Sequence, residues 1–158
     1  MNMKLLKKEW ISLYKFLDGL QPNEVGDRAA NANLDNALVK IHAAVEAELI
    51  ELARLQLEFD KTTIKHKQAL IEAQMGLKSS PKDENLLAAQ QSAIDFLDYL
   101  QSMHILAADD IFFKDSMMEE AEVKFSKPEQ LEVKQQFDKH GLKLLSRQLY
   151  AVFAGKFV

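Results

Sequence analysis

The chain has 158 residues, of which 47% are apolar and 28% charged, with a net charge of −4, five glycines, three prolines and no cysteine. Its length suits a single domain, 1–158, able to bury roughly two thirds of its unfolded surface. The missing cysteine excludes disulfides, thiolate catalysis and cysteine-based zinc sites, and the acidic balance argues against a protein that coats nucleic acid.

The first element expected is a helix from about Met3 to Leu20. Leu6, Trp10, Leu13, Leu17 and Leu20 fall on one helical face, and Gly19 and Pro22 mark its end. Lys4, Lys7, Lys8 and Lys15 lie off that stripe, giving a basic amphipathic helix with Trp10 as its core anchor. These charges arrive before any apolar run of signal-peptide length, so no export signal is expected. No window holds 18 consecutive apolar residues, so no transmembrane segment is expected either, and the cytoplasm is the simplest compartment.

The stretch from Gln21 to Asn33, with Pro22 and Gly26, reads as a connection. Asn33 or Asp35 is placed to cap the next helix. From Leu34 to Met75 no glycine or proline intervenes, and Leu38, Ile41, Val45, Leu49, Leu52, Leu55 and Phe59 recur at steps of three and four. An unbroken helix there would be roughly 60 Å long. The alternative is a break at Asp60-Lys61-Thr62-Thr63, where Thr62 or Thr63 could cap a fresh start.

Gly76 to Pro81 reads as a turn, with Gly76 at a helix C′ position, Ser80 as N-cap, Pro81 at N1 and Asp83 at N3. The run that follows is again free of glycine and proline. Two long runs, about 34–75 and 82–125, therefore predict an antiparallel helical hairpin, with Leu70 near Leu87, Phe59 near Asp98 and Leu52 near Ile105. Along the second run Ala89, Ala93, Phe96, Leu100, Met103 and Ala107 form one stripe. Leu87, Ile94, Leu97 and Ile105 widen it beyond what one neighbour covers.

Ser116 with Glu119 fits a capping box for a new or kinked helix, and Ser126 with Glu129 fits another, with Pro128 in the first turn. Gly141 divides the last run, after which Leu142, Leu145, Leu149 and Val152 resume the stripe. The predicted fold is all-α: a helical bundle built around the long hairpin, with an N-terminal and a C-terminal helix packed on it.

Motifs for chemistry are few. His42, His66, His104 and His140 lack the spacing of a helical zinc pair, and none follows a Glu by three residues. The acidic group Asp109, Asp110, Asp115, Glu119, Glu120 and Glu122 lacks the glycine and ligand spacing of a calcium loop and reads as a solvated face. There is no nucleophile elbow and no phosphate-binding glycine loop, so no cofactor or metal is expected. Lys61, Lys65 and Lys67 are offset by Glu58 and Asp60 and have no interleaved aromatics, so no nucleic acid is expected. Glu46, Glu48 and Glu51 border an apolar stripe, where burial can raise a carboxylate pKa.

The reading that follows is a non-catalytic protein-interaction, scaffolding or adaptor module that self-associates as a homodimer or binds a protein partner. Ile111, Phe112 and Phe113 form one candidate interface patch; Tyr150, Phe153 and Phe157 form a second. One alternative is a small helical-bundle enzyme or ligand binder using a buried carboxylate and histidine, with Glu48 and His104 as candidates. Another is an acidic inhibitor or decoy of a basic partner, since residues 81–120 hold nine acidic and two basic side chains.

Overall fold

The computed structural model describes residues 2–20 and 31–157, so most of the predicted 21–33 connection lies outside the described residues. Among these residues, six helices and two short strands follow in the order β1 (Asn2–Leu6), α1 (Lys7–Asp18), α2 (Ala32–Ala44), α3 (Glu46–Ser79), α4 (Glu84–Phe112), a 3-10 turn (Asp115–Met118), β2 (Glu120–Lys124), α5 (Lys127–Leu144) and α6 (Arg147–Phe153). The fold is an all-α bundle containing a long helical hairpin, with a two-stranded ribbon added to it. The described residues divide into two compact units, a core unit of residues 1–49 with 114–158 and a hairpin unit of residues 50–113.

In the core unit, the predicted first helix loses its start to β1. Met3 and Leu5 are buried while Asn2 and Lys4 are exposed, the period-two alternation of a strand. β1 pairs antiparallel with β2, Met3 opposite Val123 and Leu5 opposite Ala121. The helix starts where that pairing ends. Glu9, at the third helical position of α1, accepts from the Leu6 amide at 2.9 Å, supplying half of a capping box. Trp10 is fully buried as expected; its indole N–H donates to the Ala121 carbonyl at 2.7 Å and its ring meets Phe125 edge-on.

α2 is capped by Asn31, ahead of the predicted Asn33 or Asp35, and buries Leu34, Ala37, Leu38 and Ile41 on one stripe. The 34–75 run breaks at Val45, whose backbone leaves the helical region at φ −129°. It does not break at 60–63, where the helix is continuous. Thr62 and Thr63 turn their hydroxyls back onto the carbonyls of Glu58 and Asp60, so neither is free to cap a new start. Val45 is itself fully buried in the core unit, next to the point where the chain passes into the hairpin.

The capping box at Ser126 and Glu129 forms as predicted, each side chain bonding the other residue's amide. α5 runs through Gly141 to Leu144, and Ser146 then caps α6. A Cβ at Gly141 would stand 3.1 Å from the Phe137 ring and 3.4 Å from Tyr150, so the glycine leaves room for those rings to stack. Around Phe137 gather Tyr150, Phe153 and Phe157, with ring centroids 4.9, 6.3 and 5.2 Å away. The helix expected to begin at Ser116 is replaced by the 3-10 turn and β2, because the Glu120–Lys124 segment pairs with β1.

In the hairpin unit, α3 and α4 pack antiparallel through Phe59 on His104, His66 on Phe96, and Gly76 against Leu86. The turn sits later than predicted. α3 continues to Ser79, and Asp83, not Ser80, caps α4 by accepting from the amides of Asn85 and Leu86. That delay advances the pairing by five to six residues, so Phe59 meets His104 and not Asp98. Gly76 is helical and not a C′ residue; a Cβ there would come within 2.9 Å of Leu86, so the glycine permits close approach of the helices near the turn.

Candidate interaction surface

Two helices can bury only one stripe each. Across the hairpin seam only Thr63, Ala73 and Ala93 are fully shielded along the body of the helices, and Leu52, Leu70, Leu97 and Leu100 are half-buried. Twelve of the seventeen exposed large apolar side chains among the described residues lie on this unit, although it is the smaller of the two. Surface apolarity is therefore concentrated on the hairpin.

The exposed residues fall into two stripes. On α3, Ile50, Leu57, Ile64 and Ile71 stand seven residues apart, each at least half exposed. A seven-residue repeat keeps one apolar line against a neighbouring helix. On α4, Phe96, Tyr99, Met103 and Leu106 alternate at steps of three and four, and Phe113, 77% exposed, lies one heptad beyond Leu106. Met103 also lines a groove of about 270 Å³ with Leu55, Glu58, Phe59, Thr62, Leu100, His104 and Ala107. At about 100° per residue, the α3 stripe lies roughly 120–180° round its helix from Thr62, so it faces away from that groove.

The charge on these helices is unequal. α4 carries Glu84, Asp95, Asp98, Asp109 and Asp110 with no lysine or arginine. α3 carries Arg54, Lys61, Lys65, Lys67 and Lys78 among its carboxylates, and all five cations are exposed.

Of the residues named from the sequence, Ile111 is buried, Phe112 half-buried and Phe113 exposed at the end of α4. Phe153 and Phe157 are buried and Tyr150 half-buried around Phe137 in the core unit. Burial takes Ile111, Phe153 and Phe157 off the surface of the chain. The sequence reading turned Phe96 and Met103 inward, where the hairpin leaves both about half exposed. The seven-residue repeat from Ile50 to Ile71 was the available signal for the missed stripe.

The candidate carboxylate and histidine are engaged locally. Glu48 is buried and accepts from the Lys7 ammonium at 2.9 Å; that hydrogen bond and the charges of Glu48 and Glu119 outweigh burial and hold the Lys7 pKa above its ordinary value. His104 lies flat on Phe59. Glu129 is engaged as well: burial pushes its pKa up, but the hydrogen bonds from Lys40 and Ser126 and the Lys40 charge prevail and leave it lowered. Among the described residues no three histidines, aspartates or glutamates group as metal ligands, and no helix is long and apolar enough to cross a membrane. Comparison with known proteins gives no match: no protein family, no curated protein and no solved structure.

Proposed function

We propose that the protein is a non-catalytic interaction module whose docking surface is the α3–α4 hairpin. One observation carries this reading: the two heptad-spaced apolar stripes on the hairpin, whose side chains its own pairing leaves about half exposed or more. Contiguous apolar surface of this kind on a folded chain is typical of a protein-binding site. Coiled-coil-like partners read such a surface through apolar residues at steps of three and four. Glu48, the buried one of Glu46, Glu48 and Glu51, is committed to Lys7, which supports the non-catalytic reading over a carboxylate-based one.

The test is affinity capture with quantitative mass spectrometry, comparing the wild type with a variant charged on both stripes, Ile64→Glu with Leu106→Lys. Both side chains are more than half exposed, so the fold tolerates the change. A protein, the chain itself included, recovered by the wild type and lost with the variant supports the reading. Equal recovery by both sinks it.

A further inference from the structure

We propose that the occupant of the hairpin surface is a second copy of this chain, with α3 of one copy lying antiparallel against α4 of the next. The proposal rests on the interaction reading above and names its partner.

The contacts of Phe59 with His104, His66 with Phe96, and Gly76 with Leu86 fix which residues of α3 and α4 stand at equal heights along the hairpin. On that scale Ile50 stands level with Phe113, Leu57 with Leu106, and Ile64 with Tyr99. All six are at least half exposed, and each points away from the seam that sets its level. A second hairpin set alongside the first, in the same direction and without axial shift, brings its α3 antiparallel to the first copy's α4. The outward apolar residues then meet at matching heights.

The charges agree with that placement. Arg54 stands level with Asp109, and Lys67 with Asp95. All four are exposed, and none makes an ion pair within its own chain among the described residues. Pairing α4 with another α4 would bring five carboxylates against five with no cation on either helix. Pairing α4 with α3 instead sets Asp109 beside Arg54 and Asp95 beside Lys67, on a helix that carries five cations among its carboxylates. Like charges facing one another select against the first arrangement, and complementary charges set the register of the second. A strip along the 29-residue α4 is roughly 44 Å long; at about one helix diameter wide it offers on the order of 500 Å² per partner, more where side chains interdigitate, towards the ~800 Å² of a standard interface.

The α3 stripe faces away from the groove that Met103 lines, so one contact uses one side of each copy. Such a contact is heterologous: after two copies meet, one α3 and one α4 remain uncovered. Addition therefore continues, as an open row or a closed ring, and does not stop at a two-fold dimer.

The experiment is light scattering in line with size-exclusion chromatography, on the full chain and on two variants that each block one stripe. Ile64→Glu puts a carboxylate where α4 is acidic; Leu106→Lys puts an ammonium where Arg54 and Lys61 approach. The wild-type mass should rise with concentration past two chains. Each variant alone should lose the larger species, and an equimolar mixture should give a dimer containing one of each, joined through the intact α4 of the first and the intact α3 of the second. Circular dichroism of each variant checks that the helices are retained. A wild type that remains monomeric at its highest soluble concentration overturns the second-copy assignment and leaves the interaction reading with a different partner. Association that persists undiminished in both variants overturns the assignment and the interaction reading together. A mixture that stays monomeric overturns the α3-to-α4 pairing.

Discussion

His104 lies on the face of Phe59, ring centroids 4.4 Å apart and 25° from parallel, with its Nδ1 buried and, among the described residues, without a hydrogen-bond partner. A stacked pair of this kind contributes about 0.5–1.5 kcal/mol beyond its buried area, whereas a buried polar atom left unsatisfied costs about 1–3 kcal/mol. Replacing His104 by Phe keeps the stack and removes the unsatisfied nitrogen. His104→Phe should therefore stabilise the hairpin by about 1 kcal/mol, seen as slower amide exchange across residues 50–113. Phe59→Ala should speed the same exchange, with a loss of about 1–3 kcal/mol for a half-buried ring.

Gly141 makes the opposite case to a routine helix substitution. Alanine normally gains about 1 kcal/mol over glycine inside a helix. Here the new methyl would press on Phe137, which is held in place by three other rings. Overpacking of about 1–3 kcal/mol outweighs the gain, so Gly141→Ala should lower the melting temperature. Tyr150→Ala in the same background should relieve part of the loss, and an unchanged melting temperature for the single variant would contradict this account.

Two charged groups give the stability a pH dependence with opposite senses. The Glu129 pKa is lowered in the folded chain, so its contribution is present above the unfolded carboxylate value and fades as pH falls through the folded one. The stability gap between wild type and Glu129→Gln should be widest near neutrality and narrow in acid. The Lys7 pKa is raised, so its contribution is complete below the unfolded lysine value and fades as pH rises through the folded one. Glu48→Gln should flatten that alkaline loss. Denaturant melts of the three proteins across pH would show both slopes.

Divalent cations should leave the protein unchanged. Among the described residues no three histidines, aspartates or glutamates are grouped as metal ligands. Millimolar Mg²⁺, Ca²⁺ or Zn²⁺ should therefore not raise the melting temperature, and a saturable rise with any of them would reopen the ligand-binding alternative.

Local signals in the sequence were reliable where one segment decides the outcome. Ser126 and Glu129 are three residues apart, and their capping box needs nothing from elsewhere. Trp10 and the Leu34–Ile41 stripe likewise carry their burial in their own periodicity. What escaped depends on distant partners. Met3 and Leu5 alternate, but over so short a span that the helical spacing of Leu6, Trp10 and Leu13 masks it, and their partner strand lies beyond residue 119. The hairpin register hung on where α3 stops, and Gly76 suggested a stop that Leu86 instead uses as a point of close approach. The exposed α3 stripe was visible as a repeat at Ile50, Leu57, Ile64 and Ile71, but nothing short of the paired helices separates an apolar line facing the seam from one facing outward.

Among the described residues β1 and β2 are the first and sixth regular segments once the 3-10 turn is set aside, and the whole of α3 and α4 lies between them in the chain. The hairpin closes through neighbouring segments, whereas the ribbon must join residues more than a hundred positions apart. If α3 and α4 zip first, residues 50 and 113 arrive at the same end of the hairpin, and the 64-residue excursion between them acts as a short connection. Taking those 64 residues out of the loop of just over a hundred residues between Leu6 and Glu120 roughly halves it, which saves on the order of 0.6 kcal/mol of closure entropy. Chain order thus makes the hairpin a folding aid to the ribbon: changes that slow its zipping should delay β1–β2 pairing, even though they touch neither strand.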